Sequence, residues 1–149
     1  MRTETKWATL GAIALFLWLL SEKLVGLQVT ERYHTRTIVG SIVCIAVFSA
    51  IYYFFCREKR DFDLGGSMTW AEGFWASAVM TLIFLPLAAL LIYVFAVWVH
   101  PDFVRILAER SSGGSIESDP VNVFLKQHTL TAMLLGLLFS ALFPLLARK

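Results

Sequence analysis

Charge is absent from four long stretches of this 149-residue chain. All 13 basic and all 11 acidic residues lie outside Trp7–Ser21, Ile38–Cys56, Phe74–Val99 and Thr129–Ala147. A soluble domain has no physical reason to exclude charge from stretches of this length, whereas a helix needs about 20 apolar residues to cross about 30 Å of hydrocarbon. The sequence therefore predicts an all-α, polytopic membrane protein, with four transmembrane helices forming a single domain over 1–149.

Residue patterns typical of catalysis or metal binding are also missing. The two cysteines, Cys44 and Cys56, lie about 18 Å apart along one predicted helix, too far for a disulfide, so we expect free thiols. No two of His34, His100 and His128 have the i, i+3 or i, i+4 spacing of a helical metal site. We expect no enzyme activity, no cofactor and no metal, and the net charge of +2 gives no reason to expect a nucleic acid.

Local signals predict where the helices begin and end. The first uncharged stretch covers only about 22 Å as a helix, so adding Glu22–Leu27 brings the first span to about 31 Å. Gly65–Gly66 ends the second helix. Thr69 and Glu72 have the spacing of a capping box at the start of the third. Asp119–Pro120 has the form of an N-cap followed by proline at the first position of the fourth.

A short segment after the third span has apolar residues on one side only. Phe103, Ile106 and Leu107 share one face of a helix, while Arg105 and Glu109 point elsewhere. This separation predicts a short amphipathic interfacial helix between helices three and four.

The distribution of lysine and arginine gives the expected orientation. With both termini in the cytoplasm, the inner segments carry seven basic residues and the outer loops carry six. Basic residues favour the cytoplasmic side, and the compact cluster Arg57–Arg60 follows helix two. We therefore expect both termini in the cytoplasm. The first span is expected to be an uncleaved signal anchor, because no small-x-small cleavage site follows it.

Glu22 and Lys23 are the candidate functional polar residues, because they lie nearest the hydrocarbon. Intramembrane carboxylates often mark proton or cation pathways. Alternatively, the two residues simply close the first span at the membrane interface, where Lys23 extends its ammonium outward. Their terminal position favours the second interpretation.

Small residues recur on one face of the fourth span. Ala132, Gly136 and Ser140 follow one another every four residues, and Gly40 and Cys44 form a shorter version in the second span. This pattern allows helices to approach closely. Packing within the chain's own bundle is the favoured explanation, and contact with another subunit is the alternative.

Several short motifs, in order, resemble a bacterial membrane family known as domain of unknown function 4199. They are Glu22–Leu27, Lys59–Asp61, Gly65–Trp70, Gly73–Phe74 and His100–Phe103. The resemblance extends over nearly the whole chain. It implies a small four-helix protein of the bacterial inner membrane without an established activity, and it supplies no catalytic residues.

Two functions are compatible with these features. The first is a non-enzymatic accessory or assembly subunit, which follows from the missing catalytic motifs and the small-residue faces. The alternative is a small transporter or channel subunit that acts as an oligomer, since four helices enclose little pore volume. Expected partners are the lipid bilayer and either further copies of the chain or another membrane protein.

Overall fold

Every secondary-structure element in the described part of the chain is helical. The computed structural model describes residues 2–28, 32–105 and 119–147. The helices are α1 (Thr3–Leu24), α2 (Tyr33–Glu58), α3 (Trp70–Val94) and α4 (Pro120–Ala147). A π-helical turn extends α2 over Lys59–Asp63, and another extends α3 over Phe95–Val99. Within these ranges four helices are long and apolar enough to cross a membrane, which confirms the predicted architecture.

The end of α1 differs from the prediction. The helix stops at Leu24 rather than Leu27, and it begins earlier, at Thr3. Gly26 adopts a left-handed φ of 68°, and the Leu27 amide donates back to the Glu22 carbonyl at 2.9 Å. This is a Schellman termination, which glycine permits at no steric cost. With 22 residues, the helix is still about 33 Å long. It is longer than the uncharged stretch because it includes charged residues at both ends.

Three other predicted helix ends are confirmed. Gly65 and Gly66, with φ of 69° and 96°, follow the π-helical turn after α2. The Glu72 amide donates to the Thr69 hydroxyl at 3.3 Å, and the Thr69 amide donates to the Glu72 carboxylate at 2.8 Å, which completes the capping box. The Asp119 carboxylate accepts from the second amide of α4, that of Val121, at 3.1 Å.

The segment after α3 is described only in part. Residues 101–105 are helical, and Phe103 is buried against Phe124 of α4. This apolar side chain therefore packs inside the protein instead of lying in lipid. The rest of the predicted interfacial helix, with Ile106, Leu107 and Glu109, lies outside the described residues.

The four helices pack unequally. α3 packs closely against both α1 and α4, whereas α2 lies against α1 and α4 and barely reaches α3. A buried cluster that includes Ala12, Phe55 and Phe84 fills one half of the bundle. A second cluster, which includes Leu19 and Phe95, fills the other half. The loose position of α2 leaves space between it and the rest of the bundle.

Two ion pairs and a hydrogen bond join three helices at one end of the bundle. Lys6 at the start of α1 pairs with Glu58 at the end of α2 at 2.8 Å, and Lys59 pairs with Glu4 at 2.7 Å. The Arg60 guanidinium donates to the carbonyl of Ala147, the last residue of α4, at 2.8 Å. We call this the termini end, and the opposite end, where α1 stops, the Glu22 end.

Candidate functional site

Glu22 is buried inside the protein, with 2% of its surface exposed. Its Oε2 atom accepts a hydrogen bond from Arg36 Nε at 2.8 Å and another from Gln28 Nε2 at 3.3 Å. The Arg36 side chain, from the first turns of α2, is 11% exposed. A buried carboxylate requires such compensation, because its charge is otherwise strongly disfavoured away from water.

Lys23 faces the opposite way from its neighbour. Its side chain is exposed, and its Nζ donates to the carbonyl of Val99 at 2.7 Å. That carbonyl belongs to the last residue of the third span, where helical hydrogen bonding ends. Burial and the nearby Lys23 charge lower the pKa of His100, so this neighbouring imidazole is neutral at pH 7. The two candidate polar residues thus occupy different environments, and only Glu22 is enclosed.

Gln28 is a site residue that the sequence does not reveal. It is 4% exposed, and its amide nitrogen donates to the Leu19 carbonyl at 3.0 Å as well as to Glu22. Its Oε1 is buried and accepts no hydrogen bond from the part of the chain that the structure describes. A glutamine just beyond a helix end is ordinarily solvated, so no local signal marks it as buried. Arg36 likewise stands out in the sequence only as a charge outside the second span.

Gly40 lies one turn after Arg36 and faces Glu22. A Cβ at this position would lie 3.0 Å from Glu22 Oε1 and 3.7 Å from Trp18 Nε1. The missing side chain therefore makes room for the carboxylate, in addition to any role in helix approach. Glu22 Oε1 itself accepts no hydrogen bond from any described residue, because both donors lie on Oε2.

Aromatic contacts connect Arg36 to α4. The Arg36 guanidinium lies 4.6 Å from the centre of the Phe103 ring, within cation–π range. Phe103 packs on Phe124, whose ring centre is 4.1 Å from that of His128. His128 Nδ1 lies 3.0 Å from the Phe124 carbonyl. If Nδ1 donates to this carbonyl in a neutral imidazole, Nε2 is an acceptor.

A cavity of about 450 Å³ lies between α1, α2 and α4, beside the Glu22–Arg36 pair. One part of its wall is polar, and the remainder is mostly aliphatic and aromatic. The polar part is contributed by Trp18, Glu22, Arg36, Thr37, Ser41, Gln127, His128 and Thr131. The apolar part includes Leu15, Ile45, Phe48, Phe84, Leu135 and Phe139. The cavity is therefore amphipathic, with an ion pair among its polar residues.

The predicted small-residue face of α4 closes this cavity and packs on α3. Ala132 and Gly136 line the cavity, and a Cβ at Gly136 would overlap the methyl group of Thr81. Thr81 Oγ1 lies 2.5 Å from the Tyr52 hydroxyl. Ser140, which is fully buried, donates to the Gly136 carbonyl at 2.7 Å. Gly136 and Ser140 thus lie between helices of this chain, and Ala132 borders the open space.

Metal ligands do not cluster in the described ranges: no three His, Cys, Asp or Glu side chains there are arranged to hold an ion. Cys44 is half-buried on the cavity wall, while Cys56 is fully buried with its sulfur 3.5 Å from the Ser77 hydroxyl. The chemical groups of the site are therefore an ion pair, neutral hydrogen-bonding atoms and an apolar wall.

Four helices long and apolar enough to cross a membrane define the class: a multi-pass membrane protein. The chain belongs to the family described as protein of unknown function (DUF4199), whose model matches residues 6–149. The resemblance found in the sequence is thereby confirmed. No curated protein and no solved structure matches the chain.

Proposed function

We propose that the protein is a non-enzymatic accessory or assembly subunit that works by binding. The supporting observation is the buried Glu22–Arg36 pair beside the cavity. Removing one partner of a buried ion pair typically costs about 3–5 kcal/mol. Separating the two charges so that either one engages another molecule would therefore be unfavourable. A carboxylate held by a guanidinium is better suited to shaping a binding site.

The proposed setting is a bacterial inner membrane, with the termini end in the cytoplasm. The outward faces of the helices offer apolar side chains to lipid or to a second membrane protein. Leu82 and Leu90 on α3, and Leu134 and Leu138 on α4, are each more than half exposed. Such a surface suits an accessory subunit, because a partner helix can replace lipid there without burying charge.

Purification in a mild detergent, followed by identification of co-purifying proteins, tests this proposal. A stable membrane protein partner is the expected result. The double variant Leu82→Ala and Leu90→Ala tests whether α3 contacts the partner. The matched double variant on α4, Leu134→Ala and Leu138→Ala, tests the same for that helix. A chain that purifies only with itself counts against the accessory role.

The alternative is a small transporter or channel subunit acting as a homo-oligomer. It is favoured by one observation: Glu22 borders the cavity, and its Oε1 accepts no hydrogen bond from the described residues. Intramembrane acids often line proton and cation pathways. Flux in reconstituted vesicles distinguishes the two functions, with Glu22→Gln compared against Glu58→Gln at the termini end. Flux lost only in Glu22→Gln supports transport, and absence of flux in the unmodified chain supports the accessory role.

A further inference from the structure

We propose that the cavity between α1, α2 and α4 binds an uncharged amphiphile, with a hydroxyl-bearing head beside Glu22 and an apolar tail along α2 and α4. This inference rests on the proposed function, in that the site binds a molecule and does not transform it. It adds the chemical class of that molecule.

The charge of the site excludes ionic heads. Glu22 and Arg36 neutralise each other at 2.8 Å, and both are nearly buried. An anionic head would have to take Arg36 from Glu22, and a cationic head would have to take Glu22 from Arg36. Either exchange leaves one buried charge unpaired, which is strongly unfavourable. An uncharged head requires no such exchange.

The hydrogen-bonding atoms of the wall fit a hydroxyl. Glu22 Oε1 is an acceptor that receives no hydrogen bond from the described residues, and Trp18 Nε1 is a donor that makes none to them. The Gly40 position lies close to both atoms, since a Cβ there would be 3.0 Å from Oε1 and 3.7 Å from Nε1. One head group beside Gly40 can therefore donate to Glu22 and accept from Trp18. His128, which also lines the cavity, supplies a second acceptor at Nε2 when Nδ1 donates to the Phe124 carbonyl.

The rest of the cavity fits a tail. Beyond the polar residues its wall is formed by side chains such as Leu15, Ile45, Phe48 and Phe139. The cavity volume of about 450 Å³ lies within the range of about 300–1,000 Å³ that is common for small-molecule sites. Burial of apolar tail surface against this wall supplies the favourable free energy, while the polar atoms orient the head.

Two kinds of molecule have a hydroxyl-bearing uncharged head and an apolar tail: an alkyl hydroquinone and a diacylglycerol-type lipid.

The Cys44 thiol allows binding to be measured directly, because Cys44 lines the cavity and is half-buried, whereas Cys56 is fully buried elsewhere. In the Cys56→Ser variant, reconstituted in nanodiscs, we would measure the rate at which N-ethylmaleimide modifies Cys44. The added probes are decylhydroquinone, dioctanoylglycerol, decanoate and decyltrimethylammonium.

The expected result is protection by an uncharged probe. When the probe concentration is ten times the Kd of that probe, mass action leaves few cavities empty, so modification of Cys44 should be about tenfold slower. Decanoate and decyltrimethylammonium at the same concentrations leave the rate unchanged. Whichever uncharged probe protects more strongly identifies the source, a hydroquinone or a lipid. Protection by neither, or stronger protection by a charged probe, overturns the proposal.

Matched substitutions on α4 provide the control. Ala132→Phe fills the cavity and should abolish protection, whereas Leu138→Phe adds a similar ring on the outward face and should preserve it. Ser41→Leu on α2 is the second cavity variant if Ala132→Phe does not fold. Protection that persists in both cavity variants contradicts the site. If no protein partner is found but Cys44 is protected, only the proposed accessory role is contradicted. If a partner is found but Cys44 is not protected, only the proposed ligand is contradicted.

Discussion

Replacing Gly136 with alanine tests the closest helix contact of the bundle. The added Cβ would overlap the Thr81 methyl group and lie 3.1 Å from the Tyr52 hydroxyl. Thr81 has little freedom to move, because its hydroxyl donates to the Ser77 carbonyl at 2.9 Å and lies 2.5 Å from the Tyr52 hydroxyl. The substitution therefore forces a shift within a buried, hydrogen-bonded contact.

The sign of the effect is diagnostic. In a helix without steric conflict, alanine is more favourable than glycine by about 1 kcal/mol. Overpacking costs about 1–3 kcal/mol, so Gly136→Ala should lower the free energy of unfolding by up to about 2 kcal/mol. Gly136→Leu should lower it further, while Leu138→Ala on the outward face should have little effect.

Gly11 in α1 is the matched control. It is also a buried helical glycine, but a Cβ there would meet the Phe84 ring at 3.4 Å, an ordinary contact. Thermal unfolding in one detergent, followed by far-UV circular dichroism, compares Gly136→Ala with Gly11→Ala. We expect Gly11→Ala to match or exceed the unmodified chain and Gly136→Ala to fall below it. If the two variants melt alike, α3 and α4 do not approach as closely as the structure has them.

Further predictions concern the ion pairs and the orientation. Glu22→Leu should destabilise the fold by about 3–5 kcal/mol because it leaves Arg36 unpaired, and adding Arg36→Met should recover part of this loss; equal unfolding free energies for the single and double variants would contradict the pairing. Lys6→Met should cost no more than about 1 kcal/mol, since the Lys6 side chain that pairs with Glu58 at the termini end is 45% exposed. In intact cells, a cysteine at Ser67 should be protected from an impermeant reagent and one at Ser115 labelled; the opposite pattern would invert the orientation.

The spans are predictable from sequence because exclusion of charge by a bilayer is a property of each segment. The capping box at Thr69 and the cap at Asp119 are likewise local, since three or four consecutive residues determine them. The end of α1 differs from the prediction for a physical reason: the predicted span starts at Trp7 and therefore needs Glu22–Leu27 to cross the hydrocarbon, whereas the helix starts at Thr3. The charged residues Glu4 and Lys6 lie within the helix, and Gly26 terminates it after Leu24.

The candidate site is much less predictable. Glu22 was identified as the acid nearest the hydrocarbon, but its burial depends on Arg36 and Gln28 facing α1. The rotation of α2 about its axis orients Arg36, and a helix with apolar residues on all sides carries no sequence signal for its rotation. Gln28 is directed back to α1 by the turn at Gly26. The spacing of the α4 small residues identified Gly136, yet its contact Thr81 lies on another helix and cannot be inferred from spacing.

Native mass spectrometry of the purified chain tests the central claim most directly, namely that the bundle holds a molecule from the bilayer in the cavity beside Glu22. The unmodified chain and Leu138→Phe should both carry an additional bound mass that corresponds to an uncharged amphiphile. Ala132→Phe, with its ring inside the cavity, should lose that mass while remaining folded. The same bound mass in Ala132→Phe and Leu138→Phe, or none in the unmodified chain, would contradict the account.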